Sequence, residues 1–106
     1  MKTNELIDAA LDWAVAKCEG DELAAKNIQF PMYAKFYIKV SPSTNWAQGG
    51  PIIEREGLTL THQGTRWAAQ TDDDLFAHGP TPLIAAMRCY VASKLGDEVE
   101  VPDELH

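Results

Sequence analysis

The chain has 106 residues, of which 45% are hydrophobic and 24% charged, and a formal net charge of -7. That fits one domain able to bury a single core without metal or disulfide, and the lack of a long apolar run excludes a membrane-spanning helix. Five of the 16 acidic residues (Asp97, Glu98, Glu100, Asp103 and Glu104) follow the last basic residue, Lys94, and a chain so charged repels nucleic acid, excluding direct DNA or RNA binding. The N-terminus goes straight into an acidic amphipathic segment with no apolar signal region, which predicts a cytoplasmic protein. Cys18 and Cys89 lie in helical patterns and are expected to be buried, reduced thiols.

Residues 4–19 read as a helix. Leu6, Ala10, Trp13 and Ala14 share one face, widened by Ile7, Leu11, Val15 and Cys18, with Thr3 or Asn4 as cap and Gly20 as stop. Residues 21–33 read as a loop or short helical turn leading into an extended segment. From Ala34, Phe36, Ile38 and Val40 alternate with Lys35, Tyr37 and Lys39, the period of a strand with one dry face. Lys26, Lys35 and Lys39 form a small basic window, read as solvated lysines on a strand edge.

Residues 58–62 and 66–70 flank Gln63-Gly64 and read as a hairpin, with Leu58, Leu60 and Trp67 facing the core and Thr59, Thr61, Arg66 and Gln70 facing away. Asp72-Asp73-Asp74 reads as a solvated loop. Thr81-Pro82 is a cap followed by proline in the first helical position. The helix it opens carries Leu83, Met87, Tyr90, Val91 and Lys94 along one stripe, with small residues elsewhere, and Gly96 ends it. The reading is one α+β domain over residues 1–96, with about three antiparallel strands packed by N-terminal, broken middle and C-terminal helices. Residues 97–106 form a short, partly mobile acidic tail. The polar outer sheet face argues for two layers.

No catalytic constellation emerges. His62, His78 and His106 lack metal spacing, and no glycine-rich phosphate loop or nucleophile motif is present. Glu54 and Glu56 would serve as acid and base only in a cleft. No metal, cofactor or enzymatic activity is expected. The stretch that draws attention is "STNWAQGGPIIER", residues 43–55. Ser43 or Thr44 is a suitable cap. Pro51 lacks an amide hydrogen and clashes with the carbonyl of Ala47, so Gly49-Gly50 either lets one helix bend or ends it, with Gly50 capping a second. Both solutions leave bare amides. Ser43, Thr44, Asn45, Trp46, Gln48, Gly49, Gly50, Glu54 and Arg55 are therefore the candidate binding residues, against the plainer reading of a helix start and a tight crossing.

"SPSTNWAQGGPIIEREG", "GPTPLIAAMRCYVASKLGDEVEVP" and the opening "ELIDAALDWAVAKCEG" resemble the NinX-like family of small tailed-phage proteins. The likeness covers residues 4–20, 41–57 and 79–102. It leaves 21–39 aside, and Asn45 stands where the family often has aspartate. Its rhythm is also similar to phage helix–sheet–helix sandwiches, which implies three layers. The resemblance implies phage or prophage origin and expression inside a bacterial host, and it implies no activity. The expected function is that of a non-catalytic phage accessory protein binding a host protein with a basic surface, the acidic tail assisting. The alternative is a small anionic, nucleotide-like ligand held at Gly49-Gly50, with Trp46 stacking on a base.

Overall fold

The computed structural model describes residues 1–33 and 39–106. Helix α1 spans Asp8–Cys18, α2 Glu22–Gln29 and α3 Trp46–Glu56. Strands β1 (Thr59–Gln63), β2 (Arg66–Gln70) and β3 (Phe76–Gly79) follow, and α4 spans Pro82–Leu95. The strands form an antiparallel meander in the order β1-β2-β3. The fold is α+β, as expected. Among the described residues the sheet has three strands, of which β3 was not expected; the strand expected from Ala34 to Val40 falls mostly outside them. Phe36 and Ile38, with Lys35 and Tyr37, lie outside the described residues, while Val40 packs on a small cluster of Ala16, Ala24 and Ala25.

The middle of the molecule is α4. Thr81 accepts from the Ile84 amide at 3.1 Å and Pro82 opens the helix, as its sequence predicts. Leu83 to Met87 are buried without interruption, as are Cys89, Tyr90 and Val91. A helix apolar all round must be covered all round. The sheet packs on one side of α4, and α1 and α3 pack against it as well. The single expected stripe is thus half of the truth, and the molecule has three layers: sheet, α4, and the remaining helices. Leu6, Leu11, Met87, Val15 and Val91 fill the core between them.

The hairpin faces the core as expected, but its turn is Gly64-Thr65, because Gln63 pairs with Arg66 inside the ladder. Leu60 opposes Ala69 and His62 opposes Trp67, and Leu60, Trp67 and Ala69 pack on the core. Gly64 is one of only two loop residues and has φ +68, the first-position requirement of the turn that suits a twisted hairpin. Between β2 and β3 the aspartate run makes a second turn. Thr71 donates its hydroxyl to Asp73 at 2.7 Å and accepts from the Leu75 amide at 3.1 Å, with Asp74 at φ 64.

Helix α1 starts later than expected. Thr3 does not cap it. Thr3 is buried, belongs to a single 3-10 turn over Thr3–Glu5, and donates its hydroxyl to the Gly96 carbonyl at 2.6 Å. Residues 21–33, left between loop and helical turn by sequence, hold α2, whose start Asp21 caps by accepting from the Ala24 amide at 3.0 Å. The last ten residues fold back on the first ones. The Val99 amide donates to Met1 at 2.9 Å and the Thr3 amide to Asp97 at 2.8 Å. Val99 and Val101 are buried in the main core, leaving Glu98, Glu100 and Asp103 exposed.

Candidate functional site

Seven of the nine candidate residues lie where the segment after Val40 turns into α3, and Glu54 and Arg55 lie in the last turn of that helix. Ser41 starts the turn, accepting from the amides of Thr44 at 3.1 Å and Asn45 at 2.8 Å. The cap of α3 is Asn45 rather than Ser43 or Thr44: its side-chain oxygen accepts from the Ala47 amide at 2.9 Å. Ser43 is buried, and its amide donates to the Asp12 carboxylate at 2.9 Å. Burial pushes the Asp12 carboxyl up, and the bond from Ser43 works against that rise. Gln48 clasps the turn from both sides, accepting from the Ser41 amide at 2.6 Å and donating to the Lys39 carbonyl at 2.8 Å.

Helix α3 is not broken. It continues through Gly49, Gly50 and Pro51 to Glu56, and Gly57 closes it in the left-handed conformation. The Gly49 amide donates to the Asn45 carbonyl at 2.9 Å, so it is not bare. Pro51 does deprive the Ala47 carbonyl of its helical donor, but Ala47 is exposed and solvent can take that place. The two glycines have different roles. A Cβ on Gly49 would collide with the Pro42 carbonyl and come within 2.6 Å of Leu83 Cδ2, whereas one on Gly50 would meet nothing within 4 Å. Gly49 lets α3 lie against the preceding turn and α4; Gly50 faces open space.

Arg55 ties three helices together. Its guanidinium grips both Glu19 oxygens at 3.0 and 2.8 Å and the Tyr90 hydroxyl at 3.1 Å, and its Nε reaches Glu56 at 3.0 Å. The Arg55 bonds hold the Glu19 carboxyl below its usual range. Burial, then the bond to Glu19, pushes the Tyr90 phenol up. Ser43, Asn45, Gln48, Gly49 and Arg55 therefore all serve the fold. What remains outward is one stripe of α3: Trp46, 54% exposed, then Ala47, Gly50, Pro51 and Glu54, with Thr44 beside its start. Trp46, Gly50 and Glu54 recur every fourth residue, so they share a helical face.

A second constellation went unnoticed in the sequence. Arg88 is the one charge in the apolar run Leu83–Val91, and that isolation was the available signal. It lies beside two adjoining clefts, of about 510 and 430 Å³, with Asn4, Phe76 and Ala77 lining both. Burial pushes its guanidinium down. Cys18 is half-buried and Cys89 buried; both are unpaired, and burial pushes each thiol up to about 11, leaving little thiolate near neutrality. Among the described residues, no group of His, Cys, Asp and Glu could hold a metal ion, and no helix is long and apolar enough to cross a membrane.

No curated protein matches the chain. The profile of the phage family described as Bacteriophage P22, NinX matches residues 2–94, including the stretch 21–39 that the sequence resemblance left aside. With most of its length matched, the chain belongs to the NinX family and is a phage accessory protein.

Proposed function

We propose that this protein acts without catalysis, inside the host cell, by docking onto a host protein through the outward stripe of α3. The observation that carries the reading is Trp46, an aromatic left 54% exposed at the head of a face whose next positions are Gly50 and Pro51. A large apolar side chain beside a bare, low-relief backbone is the composition of an interface anchor with room for a partner's side chain. The exposed acids Glu98, Glu100 and Asp103 favour a partner with a basic surface and would speed its approach. A ligand held on free amides at Gly49-Gly50 has no comparable support, because the helix uses the Gly49 amide itself.

The test is affinity capture from host lysate with the full chain, at low and high salt. Wild-type protein should enrich a defined host protein, less so at high salt, and Trp46→Ala should lose it while melting at the same temperature. Equal enrichment by Trp46→Ala, or none by wild type, would sink the reading.

A further inference from the structure

Arg88 is held in place by two carbonyls and, among the described residues, has no counterion. Its Nε donates to Leu6 at 2.8 Å and its Nη1 to His78 at 2.9 Å. No carboxylate pairs with it among the described residues, and its third nitrogen, Nη2, has no hydrogen-bond partner there either. A planar fork fixed on two bonds with Nη2 still able to donate is pre-organised for an oxyanion, and partial burial strengthens what it would gain.

The two clefts beside Arg88 differ in charge. The larger also holds Asp97 and Glu98, which repel an anion. The smaller, about 430 Å³, is lined by Arg88, Arg66, His78, Asn4 and Phe76 among others, and no Asp or Glu is among its lining residues. In a chain with 16 acids against 9 basic residues, such a lining reverses the sign of the molecule locally. Phe76 is 53% exposed at its rim, on the edge strand β3. The cleft volume falls within the roughly 300–1,000 Å³ that small-ligand sites occupy.

We infer that this cleft binds a small phosphomonoester carrying a planar ring, a ligand of the mononucleotide class, with its phosphate on Arg88 and Arg66 and its ring against Phe76. Arg88 supplies a rigid, directional contact, Arg66 a solvent-facing charge, and Phe76 a stacking face that tolerates any base. The site lies on sheet and α4 residues that the α3 docking stripe does not use, so the two readings stand or fall separately.

The test is a titration of the isotope-labelled full chain, followed by amide chemical shifts, with each of four nucleoside monophosphates, the matching nucleosides and inorganic phosphate. Saturable shifts are expected at residues 65–67 and 76–78 with a monophosphate, weaker ones with phosphate alone and none with the nucleosides. Arg66→Gln, at an exposed position, should weaken binding about tenfold, as expected for losing one charge-assisted bond. Phe76→Ala should reduce the monophosphate to the affinity of phosphate. No saturable shift, shifts confined to other residues, or unchanged affinity in both variants would overturn the site. Equal affinity for phosphate and monophosphate in the wild type would overturn the ring contact.

Discussion

The Tyr90 hydroxyl donates to Glu19 Oε2 at 2.5 Å, on the same carboxylate oxygen that Arg55 Nη2 reaches at 2.8 Å. One carboxylate at the end of α1 thus receives the tips of side chains from α3 and α4, so the layers meet at a charged knot as well as in the core. Glu19 has its folded value depressed below the ordinary 4.5. Its contribution to stability is therefore present above that value and is lost as pH falls through the folded one. Resistance of the wild type to urea should fall below about pH 4.5, and Glu19→Gln should be less stable at neutrality yet flatter in acid. Tyr90→Phe should cost about 1 kcal/mol. An identical pH profile in Glu19→Gln would count against the knot.

Asp12 has the opposite sign. Burial raises its folded value, so the stability linked to its protonated form is present below the ordinary 3.8 and is lost as pH rises through the folded value. Asp12→Asn keeps an oxygen for the Ser43 amide and removes the buried charge. It should melt higher than wild type at pH 7.5, with the difference shrinking toward pH 4. A lower melting temperature at pH 7.5 would show that the carboxylate is compensated by more than Ser43.

Gly49 and Gly50, adjacent in sequence, should respond oppositely to alanine. Gly49→Ala forces a methyl into the Pro42 carbonyl and Leu83, at a cost of about 1 to 3 kcal/mol. Gly50→Ala meets open space inside a helix and should stabilise by up to about 1 kcal/mol. Chemical denaturation of the two variants decides this, and destabilisation by both would mean that the turn before α3 constrains Gly50 as well.

Much of this arrangement was legible beforehand, for local reasons. Thr81-Pro82 and the Gly64 hairpin are set by short-range chemistry, and both stand as read apart from the place of the hairpin turn. The layer order was not legible, because α4 is buried on both sides and its small residues mark contact rather than exposure. Strand β3 is four residues long and follows an acidic turn, too short for alternation to register. At the candidate site the helix break was misread: Pro51 sits where its missing donor is tolerated, and the capping role fell to Asn45 because Ser43 is drawn inward by Asp12. Trp46 stands out in the sequence as an aromatic beside the Gly49-Gly50-Pro51 stretch, and its 54% exposure supports the docking reading although the helix is continuous there.

The acidic end should behave as part of the core. Val99→Ala removes two buried methyl groups and should cost about 1.5 kcal/mol. Neutralising Glu98, Glu100 and Asp103 together should leave the melting temperature nearly unchanged, since all three are exposed. Thermal melts separate the two. The neutralised chain is also the proper probe for charge steering, because removing residues 97–106 would take Val99 and Val101 with them.

The α3 docking stripe is tested most directly by a photo-crosslinking side chain installed at Gly50, where there is open space, and at the exposed sheet residue Thr61 as control. On irradiation in host cells, position 50 should give one discrete adduct with a host protein, and the same substitution combined with Trp46→Ala should lose it. No adduct from position 50, or the same adduct from Thr61, would contradict docking through α3.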